Sequence, residues 1–492
     1  MRVCHHPASF DEIAALEQLA AFGWDASTRD PDNLAFLWHL PADQLARVWH
    51  EAAIHRNVEL AKPDLEVPVV AEDHGELPER AIQLLSRGAC FIMPYTSLWP
   101  AVMAKWGCSR YMREQLGGLV DGVHVLGNTA QRKEFSYFKD IAGDECERPA
   151  CCSVRMAFGD FLDHRGLEET RAVPLIEPVG VAATNVCLYV QTTLLERTED
   201  GAMAPPAGIG AGLLDDLSKL NLRLLERFRA AGKFGEWRVS QLFIGTRATV
   251  GARSTLHFDH NDNLFLQIAG VKRFRLFPPT EGGNIYAYPV FHALDRRAQI
   301  DWPRRDAVEQ RERFPRLADA RCIEVVVHPG QLLFLPAYWW HEVITEAAGL
   351  GPTADAANAD LTVSVNFWFE IDPRKPIDVP PRASIRLELA RQLESLTAKW
   401  LSDGALVPAF LRALAQQWRE VRRTDAAEPL GVGWAVLHAA RPPQADAASW
   451  ETLFEYVSVK AACLLGSPMV LEFFDGLCDP ARFESVRVAL EA

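Results

Sequence analysis

Paired cysteines of the kind that bind zinc are missing from this sequence. Its 10 cysteines include no C-x-x-C pair and show no regular spacing, and Cys151 and Cys152 are adjacent. Adjacent cysteines suit neither an ordinary disulfide nor a zinc knuckle. The pattern therefore argues against a disulfide-stapled or zinc-ribbon fold and favours reduced thiols in the cytoplasm.

Long apolar runs are also missing. No uncharged stretch approaches the roughly 18 residues needed to cross a bilayer. Residues 1–24 contain Asp11, Glu12 and Glu17, as expected of an amphipathic helix rather than a signal peptide. Positive charge is in deficit, because 51 Lys and Arg face 65 Asp and Glu, giving a net charge of -14. We therefore expect a cytoplasmic protein with no membrane contact and no general affinity for nucleic acid.

The chain of 492 residues divides into three regions by hydrophobic pattern. Residues 1–84 show helical periodicity, and residues 85–380 consist mainly of short β-type runs, interrupted by one helix predicted over 213–231. After the proline-rich segment IDPRKPIDVPP, residues 381–492 become helical again. The sequence predicts a mainly β fold with flanking N- and C-terminal helical regions and has no internal repeat.

The C-terminal region contains a stripe of apolar residues. Leu389, Leu393, Leu396 and Trp400 recur at steps that place them on one face of a helix. Such a face packs either against its own domain or against a second copy of the protein. The pattern alone leaves both alternatives open.

Candidate metal ligands begin in the stretch LHFDHNDNLFLQIAGVKRFRLF, residues 256–277, which otherwise has the pattern of two apolar strands joined by a tight turn. Residues two apart in a strand share a face, so His257 and Asp259 would project together. His341 follows 84 residues later, far enough to come from a neighbouring strand. Two histidines and one carboxylate are the ligand set of non-haem Fe(II) oxygenases, with zinc or manganese as alternatives.

The strand VKRFRLF, residues 271–277, has an unusual inner face. Lys272, Phe274 and Leu276 alternate with Arg273 and Arg275. Lys272 is therefore internal if the aromatic and aliphatic face is internal. A buried ammonium needs a partner. A lysine that merely extends its charged end to solvent is the alternative.

Two further strands are polar on one face and apolar on the other. Tyr189 and Gln191 share a face in NVCLYVQTTL, and Asn366 and Trp368 share a face in TVSVNFWFE. The opposite faces of both strands contain only Val, Leu and Phe. This pattern is typical of strands that line a cavity, although a sheet with one solvated face produces it too.

Four motifs together carry a family resemblance: HFDHNDNLFLQIAGVKRFRLFPP, YAYPVFHALDRRAQIDW, HPGQLLFLPAYWWHEV and VSVNFWF. With them, residues 85–380 resemble the JmjC and cupin-like branch of Fe(II)- and 2-oxoglutarate-dependent oxygenases, most of all asparaginyl hydroxylases of the factor-inhibiting-HIF type. The resemblance implies a double-stranded β-helix (a jelly roll), with two facing antiparallel sheets and helices outside. It also implies a homodimer formed by the C-terminal helices, which favours the dimer alternative for the Leu389 stripe.

The resemblance also assigns roles to side chains in three groups. The implied catalytic ligands of Fe(II) are His257, Asp259 and His341. The implied binding residues for 2-oxoglutarate are Tyr189, Ser254, Asn263, Lys272 and Asn366. The implied substrate-binding residues are Gln191, Arg296, Arg297 and Trp368.

One substrate-binding segment departs from the family pattern. Where the asparaginyl hydroxylases have Asp-Arg followed by glutamine, this sequence reads DRR, residues 295–297. Glutamine can both donate to and accept from an amide, whereas arginine only donates and is charged. Unless it simply faces solvent, Arg297 therefore favours an aspartate-type or otherwise acidic target over asparagine.

The function that follows from the resemblance is hydroxylation of a C–H bond in an amino-acid side chain of a peptide or protein. Such an enzyme consumes O2 and 2-oxoglutarate and releases succinate and CO2. Action on a free amino acid, a small natural product or a modified tRNA base is one alternative, and demethylation is a lesser one. A cupin-type binding module without turnover is the alternative outside the enzymes.

Overall fold

Two sheets face each other and are covered on the outside by helices. The computed structural model describes residues 66–71, 76–95, 97–103, 105–116, 119–126, 134–135, 151–164, 187–347, 361–371, 382–424, 439–465 and 467–484. Most of the predicted N-terminal helical region and most of the proline-rich segment lie outside these ranges.

The predicted β region is rich in short strands. In chain order the strands of the described residues are β1 (Phe91–Pro94), β2 (Leu119–Leu126), β3 (Glu134–Phe135), β4 (Cys151–Ala157), β5 (Cys187–Arg197), β6 (Met203–Ala204), β7 (Trp237–Gly245), β8 (Arg253–Ser254), β9 (Asp262–Ala269), β10 (Val271–Phe277), β11 (Ile323–Val327), β12 (Gln331–Leu335), β13 (Trp340–Glu346) and β14 (Thr362–Phe369).

These strands form a large sheet and a small sheet. The large sheet has the order β1-β12-β9-β14-β7-β5-β2-β4, with β6 beside β5, and the small sheet has the order β11-β10-β13-β8-β3. Every pairing is antiparallel except that of β3 with β8. Consecutive strands such as β9 and β10, or β12 and β13, belong to opposite sheets. This alternation confirms the predicted double-stranded β-helix.

The turn between β9 and β10 depends on one glycine. Gly270 has φ +70, a conformation that residues with a Cβ rarely adopt. A Cβ at this position would also lie 2.5 Å from Oγ1 of Thr362. Gly270 therefore lets the backbone leave the large sheet and enter the small one within a single residue.

Apolar side chains from both sheets meet in the middle of the jelly roll. Phe265 and Leu333 of the large sheet pack with Phe274, Leu276 and Val327 of the small sheet. This packing buries the inner face of β10 and confirms the predicted alternation, because Phe274 is 1% exposed and Leu276 is 0% exposed.

The helices of the described residues are α1 (Glu79–Arg87), α2 (Pro100–Met103), α3 (Ser109–Gln115), α4 (Phe158–Asp163), α5 (Ala211–Leu217), α6 (Leu222–Gly232), α7 (Val308–Arg313), α8 (Ala383–Trp400), α9 (Val407–Thr424), α10 (Ala447–Leu465), α11 (Ser467–Gly476) and α12 (Ala481–Glu484). Within the described part of the chain, none of them has the length and apolar character needed to cross a bilayer.

The single helix predicted over 213–231 is wrong, because two helices form there. α5 ends at Leu217 and α6 begins at Leu222. The Asn221 side chain accepts a hydrogen bond from the N–H of Leu224 at 3.1 Å and so caps the second helix. The apolar residues keep their helical spacing across the break, so periodicity alone predicts a single helix.

The C-terminal helices share one hydrophobic core with an end of the jelly roll. Leu393 of α8, Phe410 of α9 and Trp450 of α10 belong to the same buried cluster as Phe258 and Trp340 of the β region. The predicted domain boundary near residue 381 stays a prediction, but no separate core marks it among the described residues.

The apolar stripe of α8 lies inside this shared core. Leu389, Leu393, Leu396 and Trp400 are at most 5% exposed within a single copy of the protein. The dimer contact predicted for this stripe is therefore wrong, because residues of the same copy already cover it. A homodimer through other surfaces of the C-terminal helices stays a prediction.

The burial of the α8 stripe can be tested by truncating Leu393 to alanine. We expect the free energy of unfolding to fall by about 2–5 kcal/mol, because the substitution leaves a cavity in a packed core. Leu222→Ala is the matched control, since Leu222 is 59% exposed. Urea denaturation measures the loss, and light scattering measures the mass. A stably folded Leu393→Ala protein with half the wild-type mass would instead indicate a dimer contact.

Candidate metal centre

His257 and His341 are held together by reciprocal backbone hydrogen bonds. The N–H of His257 donates to the carbonyl of His341 at 3.0 Å, and the N–H of His341 donates to the carbonyl of His257 at 2.6 Å. Residues paired in this way project from the same face of a sheet. The centroids of the two imidazole rings lie 4.2 Å apart.

Asp259 completes a cluster with the two histidines. One carboxylate oxygen of Asp259 lies 3.5 Å from Nε2 of His341. The ligand atoms of the three side chains all lie within 4.8 Å of one another. The prediction that His257 and Asp259 share a strand is only partly right. His257 forms an isolated bridge, and Asp259 lies in the loop before β9, where its carbonyl accepts from the N–H of Tyr338 at 2.8 Å.

The hydrogen bonds of the histidines leave their outer nitrogens available for a metal. Nδ1 of His257 lies 2.7 Å from the carbonyl of Thr255, and Nδ1 of His341 lies 3.0 Å from the carbonyl of Trp339. A carbonyl only accepts, so each Nδ1 carries the proton and each Nε2 has a lone pair. Burial lowers the pKa of both imidazoles, which therefore stay neutral at neutral pH. Two neutral imidazoles and a carboxylate fit Fe(II), and equally fit zinc or manganese.

Lys272 is buried deep in the same cavity. It is 3% exposed, and Nζ donates to Oγ1 of Thr345 at 2.7 Å and to the hydroxyl of Tyr189 at 3.3 Å. Among the described residues no carboxylate contacts it. Burial lowers the pKa of Lys272 to about 7. The predicted internal position of this lysine is thus confirmed, and neutral hydroxyls are the partners that hold it.

Thr345 was missed by the sequence reasoning. It lies four residues after His341 on β13, so the two side chains share a face of the strand. The sequence HEVIT already indicated the position of Thr345. Alternate residues of a strand share a face, so His341 and Thr345 point to the same side. Ser254, which was predicted, lies on the neighbouring β8, and its Oγ accepts from the N–H of Val343 at 3.0 Å.

The polar faces of β5 and β14 line the cavity, as predicted. Nε2 of Gln191 donates to Oε1 of Gln241 at 2.7 Å, and the backbone N–H of Gln241 donates to Oδ1 of Asn366 at 2.8 Å. Oδ1 of Asn263 and Nε1 of Trp368 are buried without a hydrogen-bond partner among the described residues. A buried polar atom without a protein partner needs a bound ligand or a water to satisfy it.

The backbone of His257 is flanked by His341 on one edge and by Arg297 on the other. The N–H of Phe258 donates to the carbonyl of Arg296 at 3.2 Å, and His257 pairs with Arg297 in an antiparallel bridge. The side chains of His341, His257 and Arg297 therefore form one row facing the cavity. Arg297 is 5% exposed, so the alternative that it faces solvent is wrong. Its charge further lowers the pKa of both ligand histidines, after the effect of burial.

All of these side chains line one cavity of about 790 Å³. The sequence-predicted residues that it brings together are Tyr189, Gln191, Ser254, His257, Asp259, Asn263, Lys272, Arg296, Arg297, His341, Asn366 and Trp368. Unpredicted residues that share the cavity include Arg238, Gln241, His260, Asn261, Thr345 and Arg391.

A jelly roll with two histidines and one carboxylate clustered inside it has the architecture of a cupin-type protein, with a side-chain set that could hold a metal ion. The chain belongs to the Cupin-like domain family, which matches residues 87–375.

Several curated proteins are similar to part of this chain. HSPB1-associated protein 1 homolog of Danio rerio is 35% identical over 137 residues, which are 27% of this chain and 26% of that protein. Human HSPB1-associated protein 1 is 32% identical over 135 residues, 27% of this chain and 24% of that protein. Lysine-specific demethylase 8 of Xenopus tropicalis is 31% identical over 119 residues, 24% of this chain and 23% of that protein. The matches span about a quarter of each relative's length.

The buried ammonium of Lys272 predicts how stability depends on pH. Its folded pKa of about 7 lies below the value of roughly 10.4 expected when unfolded. The unfolded state therefore binds more protons across this window, and the ligand-free protein gains stability as pH rises from about 7 to 10.

Lys272→Met should remove this dependence and raise the free energy of unfolding at pH 6.5 by about 1–4 kcal/mol, because a buried charge is replaced by an apolar side chain. The measurement is urea denaturation at pH 6.5 and pH 9 for both proteins. Lys219→Met is the control, since Lys219 pairs with Asp215 at the surface. A variant less stable than wild type at pH 6.5 would contradict the prediction.

Proposed function

We propose that the protein is an Fe(II)- and 2-oxoglutarate-dependent oxygenase that hydroxylates a C–H bond in an amino-acid side chain of a peptide or protein. The observation that carries the proposal is the combination of the cluster His257, Asp259 and His341 with the buried Lys272 in one cavity. Membership of the Cupin-like domain family and the similarity to proteins named as lysine demethylases support an oxygenase in general.

Lys272 is the reason to prefer 2-oxoglutarate as cosubstrate over a metal site for hydrolysis or isomerisation. A buried ammonium supported by hydroxyls still needs a counter-charge, and a carboxylate supplies one. The hydroxyls of Tyr189 and Thr345 already contact Nζ. Ser254 accepts from Val343, so its own hydroxyl proton stays able to donate to the same carboxylate. These four side chains would hold the distal carboxylate.

The metal end of the cosubstrate would lie at the three ligands. Oδ1 of Asn263 and Nε1 of Trp368 have no partner among the described residues, and Asn366 lies on the strand next to β9. A bound Fe(II) ion would supply the activation of O2 that couples decarboxylation of 2-oxoglutarate to C–H oxidation, giving succinate and CO2. The protein's contribution is to orient both reactants and to exclude water.

The charges of the cavity favour an acidic group on the substrate. Although the chain has a net charge of -14, Arg238, Arg296 and Arg297 line the cavity in addition to Lys272. Arg238 is exposed and Arg297 is buried next to a metal ligand, so positive charge extends from the surface inward. A substrate carboxylate would be attracted, whereas a methylated lysine would be repelled. We therefore propose hydroxylation of an aspartate-type side chain rather than demethylation.

Reconstitution without oxygen tests the oxygenase. We expect the full-length protein to bind one Fe(II) ion and then 2-oxoglutarate, which produces a visible charge-transfer absorption band. His257→Ala should lose the metal and the band. Lys272→Met should keep the metal but weaken 2-oxoglutarate binding by about 100-fold or more, since a buried charged hydrogen bond is worth about 3 kcal/mol. Binding of zinc without any response to 2-oxoglutarate would favour the hydrolase or isomerase alternative.

Two small probes test the acidic substrate. We expect the methylamide of N-acetyl-aspartate to bind the Mn(II)- and 2-oxoglutarate-loaded protein about tenfold more tightly than the asparagine analogue, because the aspartate probe alone offers a carboxylate to Arg297. Paramagnetic relaxation of the probe protons measures both affinities. In Arg297→Gln the preference should fall to about one, because glutamine can accept from an amide but lacks the charge.

Arg304→Gln is the matched control for this substitution, since Arg304 is exposed and lies outside the cavity. Equal binding of the two probes by the wild-type protein would contradict an acidic substrate while leaving the oxygenase intact.

A further inference from the structure

The cavity wall that contains Arg297 is held by helices outside the family domain. This wall is the loop 287–298, closed by a backbone bridge between Ala287 and Ala298. The family match ends at residue 375, yet Arg391 on α8 lines the cavity. The C-terminal helices therefore contribute directly to the site.

Arg391 is tied to the loop by charged hydrogen bonds. Nη1 and Nη2 donate to the two carboxylate oxygens of Asp295, the second at 3.2 Å, and Nε donates to Glu388 at 3.2 Å. The guanidinium carbon lies 5.3 Å from the centroid of the Phe258 ring. Burial opposes the charge, but Asp295 and Glu388 raise the pKa of Arg391, so it stays ionised. The two-point contact fixes the direction of the Asp295 side chain as well as its position.

Two further charged residues hold the other half of the loop. Oε2 of Glu394 on α8 accepts from the backbone N–H of Val290 at 3.0 Å. Arg482 on α12 donates to Glu394 at 2.6 Å and to the carbonyl of Ala287 at 3.0 Å. The side chains of Glu394 and Arg482 are at most 5% exposed. The loop is thus anchored at its beginning, in its middle and at Asp295.

Arg296, the residue between Asp295 and Arg297, has an unusual backbone conformation. Arg296 has φ 64, in the left-handed region that non-glycine residues rarely occupy. Such a conformation persists only when its surroundings impose it. Here Asp295 is fixed by Arg391 on one side, and Arg297 is paired with His257 on the other. Release of Asp295 would let the backbone relax and change where Arg297 points.

We propose that Arg391 is a positioning residue for substrate selection. By holding Asp295 it imposes the backbone of Arg296 and so directs Arg297 toward the carboxylate of the substrate. The identity of that substrate group rests on the proposed function, whereas the control of the loop does not. In this view the C-terminal helices are one wall of the substrate site.

Hydrogen exchange on the full-length protein without ligands tests the control of the loop. In Arg391→Met we expect the amides of residues 287–298 to exchange at least tenfold faster than in wild type, with residues 262–277 unchanged. Arg419→Met is the matched control, because it removes an ion pair with Asp475 in the same helical region but at the surface. Unchanged exchange of the loop in Arg391→Met would overturn the proposal.

The two probes described above test the effect on selection. In Arg391→Met the preference for the aspartate probe over the asparagine probe should fall at least fivefold, while Mn(II) and 2-oxoglutarate bind within twofold of wild type. Arg391→Lys should restore part of the preference, since lysine keeps the charge but makes a single-point contact. A full preference in Arg391→Met would overturn the role in selection. If the wild-type protein binds no 2-oxoglutarate, the proposed function fails, and the exchange experiment still decides the role of Arg391.

A second variant covers the case in which Arg391→Met does not fold, because that change leaves the charges of Asp295 and Glu388 buried without their cation. Asp295→Asn/Glu388→Gln/Arg391→Met removes all three charges together with the two-point contact. We expect this triple variant to fold, to exchange faster over 287–298 and to lose preference in the same direction. Wild-type exchange and preference in the folded triple variant would overturn the proposal.

Discussion

The backbone pairing of His257 with His341 is the constraint on which the rest of the site depends. Its two hydrogen bonds, at 3.0 and 2.6 Å, keep two imidazoles side by side inside the protein. Neutral rings tolerate this proximity, and burial keeps them neutral by lowering their pKa values. The same segment pairs with Arg297 on its other edge. A proposed metal ligand and the charge proposed to bind the substrate therefore belong to one backbone array, which sets the spacing between their backbones.

Some charged residues of the cavity are neutralised by ion pairs within the described part of the protein, and Lys272 is not. Arg391 with Asp295, and Arg253 with Glu342 at 2.6 Å, are neutralised by the protein itself. Lys272 has only hydroxyl partners among the described residues, so the fold bears the cost of burying it. The ion-paired residues keep their charges compensated and fix the geometry of the cavity wall. Lys272 is therefore suited to bind a ligand, because a ligand carboxylate would offset the free-energy cost of burying its charge.

The sequence predicted the parts of the site that depend on local periodicity. Alternation along a strand has a period of two, so the inner faces of Lys272 and Asn366 followed directly. Thr345 obeys the same rule, because it lies four residues after His341 on β13 and therefore shares its face. The position of Asp259 in a loop was not predictable, because H-x-D has the same spacing in a strand and in a loop. Periodicity identified the apolar stripe of α8, but it does not indicate which residues pack against that stripe.

The contact between Arg391 and Asp295 spans 96 residues and joins a helix to a loop, so no local pattern encodes it. The loop that contains Arg297 therefore depends on residues far from it in the sequence. The metal ligands and Lys272 lie within the region shared with the family, whereas the loop that contains Arg297 is anchored by residues beyond 375. A change in the C-terminal helices would therefore alter how this loop is held, while the cluster of His257, Asp259 and His341 and the buried Lys272 would stay within the jelly roll. The matches to known relatives span about a quarter of their length, so their substrates do not transfer to this protein. In this protein the proposed selection of substrate therefore depends on the C-terminal helices, whereas the proposed chemistry depends on residues of the jelly roll.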